Sequence, residues 1–344
     1  MKRHATDLWA AVDRLIDSTD DVEALAVNRL HLLAARRWRE LGRDVPAELV
    51  AAERVAAVST LVLPELLGRL RGACEGPVVV HKGPEVASRY PDPVLRPFVD
   101  VDILVPDAES AQKALVGAGF VEIGDPLFYA VSPHQQPLEW PGLPLHVEVH
   151  SDLNWPHWLG RAPAPELLAA AIPSSLGIEG VQTLAPHHHA LAIAGHAWAH
   201  GPFARVGDLV DVAAMADGLD RDDLLRLARR WNVERMWKTT IATVDAVLFD
   251  GPPPWAVRTW ARNLPAVRDR TVLEIHLGRW LAGFSALGAR GGLRVLREEI
   301  GSDLRPEVGE TWGQKLARIP RAFRDAFLTR SRHDRRLEEL DRRR

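Results

Sequence analysis

Asp100 and Asp102 lie two residues apart in Phe98-Val99-Asp100-Val101-Asp102-Ile103-Leu104-Val105. In an extended strand successive side chains point to opposite faces, so the apolar residues bury one face and leave both carboxylates side by side on the other. Such a pair repels itself unless a cation sits between. An oxygen-rich, incompletely caged donor set suits Mg²⁺ or Mn²⁺, with the phosphates of a substrate completing the coordination. The plainer reading of the same pattern is the solvated face of a half-exposed sheet. A third acid stands in Leu145-His146-Val147-Glu148-Val149-His150, where alternation puts His146, Glu148 and His150 on one face. If that strand neighbours the Asp strand, Glu148 supplies a third metal ligand beside an attacking hydroxyl, as general base or orienting group. Otherwise it is an exposed acid on an edge strand.

Ahead of the acids, a short apolar run ends in Lys82-Gly83 and Arg96 follows before Asp100. Lys82 is a candidate for triphosphate or pyrophosphate oxygens, and Gly83 for close backbone approach at a helix start. Arg96 either clamps phosphate bidentately or pairs with the acids. Tyr90 reads as packing.

Two kinds of element must position these groups. Residues from about 5 to 72 carry apolar side chains at helical spacing among many Arg and Glu, which predicts an N-terminal helical subdomain. A Pro- and Gly-punctuated stretch then predicts strands at Pro77–Val80, Val99–Val105, Phe120–Ile123, Phe128–Val131 and Leu145–His150, with a helix at Ala108–Gly117. From Pro186 the pattern returns to helices near 186–199, 206–217, 221–231, 234–249, 254–263 and 267–282, the pattern of a bundle. The expected organisation is an N-terminal helical part (1–72), a mixed α/β core (73–185), a helical domain facing the cleft (186–310) and a basic C-terminal helix and tail (311–344).

In this order, Lys82-Gly83, Tyr90, Arg96, Asp100/Asp102 and Val147-Glu148-Val149-His150 resemble the nucleotidyltransferase family proteins of the polymerase-β-like superfamily. The likeness is greatest to the bacterial group known simply as uncharacterised nucleotidyltransferases. It is carried mainly by residues 75–155 and extends more weakly through the His196 region and Leu209-Val210-Asp211-Val212-Ala213. The resemblance implies an α+β fold, a polymerase-β-like nucleotidyltransferase core with a small mixed sheet and flanking helices. It also implies an Mg²⁺- or Mn²⁺-dependent transfer of a nucleotidyl group from a nucleoside triphosphate to a hydroxyl or phosphate. Asp100, Asp102 and Glu148 would hold the metals, Lys82, Gly83 and Arg96 the nucleotide, and His150, His196, His200 and Asp211 would line an acceptor or nucleotide pocket. The chain departs from related members at Pro84, where a Gly-rich corner loses one backbone donor; proline is nevertheless acceptable at the first turn of a helix.

Other readings compete with that one. A non-catalytic nucleotide- or partner-binding module on the same fold would not need all three acids. His196 and His200, at i and i+4 on one helical face, have a geometry capable of binding zinc, although no Glu follows His196 as in zinc proteases; the plainer reading is histidines packed beside a cleft, and a metal-dependent phosphohydrolase with Asp208 or Asp211 as further ligand is the remaining alternative. Trp155 and Trp158, directly after the Glu148 strand, are candidates for stacking on a base or sugar, with core packing as the alternative.

Composition limits the partners. At 344 residues, 47% apolar and 26% charged, the chain has globular norms, and a net charge of −3 gives no global attraction to nucleic acid or anionic membrane. An RNA acceptor such as tRNA would have to use the Arg-rich segment after about 315; small molecules and protein side chains are the other acceptor classes. One cysteine, Cys74, excludes an internal disulfide, and no run of about 18 apolar residues occurs, so a cytoplasmic location is expected.

Overall fold

The structure is a computed structural model that describes residues 5–125, 135–160, 163–199, 201–306 and 310–341. Four helices open the chain: α1 (Ala5–Asp17), α2 (Val22–Val27), α3 (His31–Glu40) and α4 (Ala47–Ala73). Leu8, Val12 and Ile16, spaced four apart, are the buried stripe of α1. The Asp21 side chain accepts from the Ala24 N–H and so caps α2. Next come β1 (Val78–Val80), α5 (Pro84–Ala87), β2 (Asp100–Leu104), α6 (Ala108–Gly117), β3 (Val121–Glu122), β4 (Leu138–Glu139), β5 (His146–His150), α7 (Ala164–Ala169), β6 (Ile172–Pro173) and β7 (Val181–Thr183). The remaining helices are α8 (Pro186–Ala199), α9 (Val206–Ala216), α10 (Arg221–Arg230), α11 (Glu234–Leu248), α12 (Trp255–Thr259), α13 (Val272–Leu304), α14 (Trp312–Asp325) and α15 (Arg330–Asp341).

The fold is mixed α+β. Among the described residues seven strands form one sheet in the order β3-β4-β5-β2-β1-β7-β6. β2 pairs parallel with β5 and antiparallel with β1, and β1 pairs parallel with β7. The strand expected at Phe128–Val131 lies outside the described residues. β4, β6 and β7, at two or three residues each, are too short to show a period of two and have no counterpart among the strands expected from sequence.

The alternation of the central strands divides the core. Val78, Val80, Val101, Ile103, Val147 and Val149 point to one side, where Leu63, Leu66, Leu67 and Leu70 of α4 and Leu115 of α6 cover them. Val79 and Leu104 point to the other side and join the larger core built by the helices. Asp100 and Asp102 share the Leu104 side of β2, so the acids sit on the sheet face turned to the helical core.

That larger core does not separate the chain's first helices from its later ones. Leu8, Val12 and Ile16 are in one cluster with Leu209 and Val210 of α9 and Val244 and Val247 of α11. α13 starts at Val272 rather than 267, because Thr271 and Glu274 close a capping box there. It runs on to Leu304 with a break at Gly288, whose φ is +80°.

Among the described C-terminal arginines, Arg318 pairs with Glu310, Arg335 with Glu23 and Arg336 with Asp325. No helix among the described residues is long and apolar enough to cross a membrane.

Candidate active site

The corner after β1 is shaped by Gly83. Its φ is +56°, and a Cβ there would stand 2.5 Å from the Asp100 carbonyl oxygen, so only glycine lets the corner lie against the start of β2. The close backbone approach expected at Gly83 includes one to the backbone of Asp100. Pro84 occupies the first turn of α5, where its missing N–H removes no helical bond. The buried Glu85 beside it accepts from the Ser174 hydroxyl, which ties α5 to the β6–β7 side of the sheet.

The corner aims Lys82 at the acids. Its Nζ donates to Asp100 Oδ2 at 3.4 Å and to Asp102 Oδ1 at 3.3 Å, and it lies 3.1 Å from Asp102 Oδ2. Burial opposes the Lys82 charge, but Asp102 and Asp100 outweigh it and raise its pKa.

Asp102 stands opposite Glu148 in the parallel pair, as Asp100 stands opposite His146 and Leu104 opposite His150. This register brings ligand oxygens of Asp100, Asp102 and Glu148 within 4.8 Å of one another. The three are graded in depth: the side chain of Asp102 is 4% exposed, Asp100 30% and Glu148 38%. The group thus has a buried floor and two acids at a solvent-facing rim.

Histidines complete the floor. His150 Nε2 lies 3.3 Å from Asp102 Oδ1 and 3.5 Å from Glu148 Oε2. Burial disfavours its charge, yet the two carboxylates raise its pKa to about 9, and it stands as an imidazolium between them. Burial works against the Asp102 carboxylate too, but His150 and Lys82 hold its pKa well below the usual range. His81, which the sequence reading did not single out, is buried beside them, its ring 5.8 Å from that of His150. Its pKa is pushed down to about 3, chiefly by burial, and its Nε2 has no hydrogen-bond partner among the described residues. The signal for it was its position: it ends the apolar β1 run immediately before Lys82. From α8, His189 Nε2 meets the His81 carbonyl at 2.8 Å and so fixes the corner from behind.

Arg96, read from sequence as a phosphate clamp or a partner of the acids, and Asp211, read as lining a pocket, meet each other. Arg96 Nε and Nη2 donate to the two Asp211 oxygens at 2.9 and 2.8 Å, and Nη1 donates to the Gly83 carbonyl at 3.1 Å. The Tyr90 hydroxyl donates to Asp211 Oδ1 at 2.7 Å, and its ring packs on Trp9 at 4.9 Å. Burial opposes the Arg96 charge, but Asp211 overrides it and raises the pKa. The three residues bolt the Lys82-Gly83 corner to α9.

The other sequence candidates are spread more widely. His200 lies outside the described residues. His196 is half-buried on α8 and belongs to neither of the metal-capable groups found among the described residues, both of which contain Asp102. Asp208, the alternative ligand for that histidine pair, contacts Arg29 at 3.5 Å. Trp155 packs edge-on against Trp231 and over Gly195, where a Cβ would come within 2.3 Å of its ring. Trp158 packs edge-on against Trp198.

The residues fit a divalent cation. Three carboxylates converge on two cationic side chains, Lys82 and His150, and Asp102 Oδ2, fully buried, has no hydrogen bond among the described residues although the Lys82 ammonium is near. Hard oxygen donors of this kind suit Mg²⁺ or Mn²⁺; the overlapping group of His81, Asp102 and His150 offers the imidazole nitrogen of neutral His81, and that of His150 only once a metal displaces its proton.

No curated protein and no solved structure matches the chain. A family model described as an uncharacterised nucleotidyltransferase matches residues 16–248, more than half of the chain and a span that includes every residue of the acidic group. The chain belongs to this nucleotidyltransferase family.

Proposed function

We propose that the protein transfers a nucleotidyl group from a nucleoside triphosphate to an acceptor hydroxyl or phosphate, with Asp100, Asp102 and Glu148 holding divalent metal. The observation that carries this reading is the in-register placement of Asp102 against Glu148 with Asp100 two residues away. When bound, the divalent cation neutralises phosphate charge as the acceptor oxygen bonds to the α-phosphorus and pyrophosphate leaves. Asp102 fixes the floor of the site, because its carboxylate is held ionised by His150 and Lys82. Asp100 and Glu148, at the rim, would hold the cation on its solvent side, where phosphates can share it. Lys82 covers the negative charge of the acid pair and offers its ammonium to phosphate oxygens. Glu148, the most exposed of the three, orients the acceptor or takes its proton.

The experiment is incubation of the full chain with α-labelled nucleoside triphosphates, Mg²⁺ or Mn²⁺ and a panel of small-molecule, tRNA and protein acceptors. Metal-dependent transfer of label, lost in Asp102→Asn, is the expected result. Absence of product, together with no metal-dependent binding of any nucleoside triphosphate by the folded protein, would refute the assignment.

A further inference from the structure

A cavity of about 720 Å³ opens away from the acids, walled by Pro156–Trp158, the residues leading into α9, the Asp269-Arg270 segment, α13 and the first residues of α15. Neither Lys82 nor any of Asp100, Asp102, Glu148 and His150 lines it. Five arginines do: Arg29, Arg205, Arg270, Arg279 and Arg330.

Three of the five are matched by acids. Arg279 is held by Glu299 at 2.7 Å and Asp303 at 3.1 Å, Arg330 by Asp334 at 3.5 Å, and Arg29 by Asp208 at 3.5 Å. Asp269, also on the wall, is taken up by the N–H and hydroxyl of Ser331 at 2.8 and 2.6 Å. Arg205 and Arg270 contact no carboxylate among the described residues. Arg270 is 5% exposed; Nη2 donates to the carbonyls of Pro202 and Trp260, and its buried Nε has no partner among the described residues. Arg205 is half-buried and makes no hydrogen bond or ion pair among the described residues. The acid that acts on it, Asp208, already contacts Arg29.

Glu274, Asp208 and Asp269 act on Arg270 from a distance, but a buried guanidinium with no carboxylate in contact is costly, and a bound anion would account for its unsatisfied donor. Burial pulls the Arg270 pKa down to about 10, and burial with the crowding of Arg29 and Arg330 lowers that of Arg205. The wall also carries Asp269, Glu299 and Asp334, taken up by Ser331, Arg279 and Arg330 respectively; its apolar part includes Trp158, Ile275 and Ala282, and the volume is that of a small-molecule site.

We propose that this cavity binds an organic phosphate of up to nucleotide size, its phosphate on Arg205 and Arg270 and its organic part against Trp158. The site is separate from the metal-binding acids and does not depend on their proposed role.

The test is calorimetric titration of the full chain with ADP and with inorganic pyrophosphate, in EDTA so that the acidic group repels phosphate. ADP binding that weakens by about tenfold or more in Arg205→Gln and in Arg270→Gln, and is unchanged in Glu148→Gln, is expected. Arg205→Gln alone decides the matter if the more buried Arg270 variant fails to fold. Trp158→Ala should weaken ADP several-fold and leave pyrophosphate alone. No binding of ADP, binding undiminished in Arg205→Gln, or equal loss in Glu148→Gln would overturn the proposal. ADP held no more tightly than pyrophosphate and indifferent to Trp158→Ala would overturn its organic part.

Discussion

Asp102 and Glu148 face each other across the parallel β2–β5 pair, yet one side chain is sealed at 4% exposure and the other open at 38%. The difference separates what each acid does for folding from what it does for chemistry. Removing the Glu148 charge takes away a 3.5 Å contact with His150 at a partly solvated position, which is worth less than about 1 kcal/mol. Glu148→Gln should keep the unfolding midpoint nearly unchanged while nucleotidyl transfer falls on the order of 10²-fold or more. Asp102→Ala removes the one buried carboxylate that Lys82 and His150 share, leaving them only Asp100 and Glu148 at the rim, and should cost about 3 kcal/mol as well as activity. Chemical denaturation beside a turnover assay on both variants checks the contrast.

Gly83 yields a sharper stability prediction. Its positive φ and the 2.5 Å approach that a Cβ would make to the Asp100 carbonyl mean that alanine must both strain the backbone and push the corner off β2. Gly83→Ala should lose about 2 kcal/mol or more and move Lys82 away from the acids, so that activity falls further than stability alone explains. Alanine at Gly142, which has φ of +89° with open space around it, is the control for backbone strain without displacement.

The buried Arg96–Asp211 pair is a positioning device in this account. Asp211→Asn leaves the Arg96 guanidinium buried without its charge partner, which costs about 3–5 kcal/mol. Arg96→Lys should not rescue the site, because an ammonium cannot bridge both Asp211 oxygens and the Gly83 carbonyl together. In the fraction of Arg96→Lys that stays folded, the nucleotide KM should change less than kcat. A KM rise with unchanged kcat would indicate that Arg96 itself holds phosphate.

Acid pH should loosen the corner through His189. This imidazole is kept neutral, chiefly by burial, with a pKa near 4 against 6.5 for the free side chain. The unfolded chain therefore takes up the proton first as pH falls, and the stabilisation is complete above pH 6.5 and is lost between 6.5 and 4. The amount is on the order of 3 kcal/mol over that window. Urea midpoints measured from pH 7 to 4.5 should fall less steeply in His189→Gln than in the unmodified chain; parallel curves would contradict the assignment.

Much of the site could be read from the sequence because its chemistry follows a period of two. Alternation in Asp100-Val-Asp102 and in His146-Val-Glu148-Val-His150 identifies the acids and their faces without coordinates. The adjacency of β2 and β5 is a different kind of fact, fixed by pairing across more than forty residues, and the local pattern was silent on it. The partnership of Arg96 with Asp211, 115 residues away, is tertiary in the same sense: each residue taken alone looks like a ligand for something else. His81 escaped because a lone histidine at the end of an apolar strand carries no periodic signal. The helices from Pro186 to Leu248 were legible nearly to the residue because their apolar spacing is long and punctuated by turns, whereas α13 was read too short, its pattern interrupted at Gly288.

The central claim is that these three carboxylates together hold a divalent cation against a triphosphate, and binding of Mn²⁺ in the presence of a nucleoside triphosphate tests it most directly. Titration followed by electron paramagnetic resonance should show Mn²⁺ bound tightly by the unmodified chain, and bound at least about tenfold more weakly in folded Asp100→Asn and in folded Glu148→Gln. Undiminished Mn²⁺ binding in the double variant, with the fold verified by circular dichroism, would contradict the account.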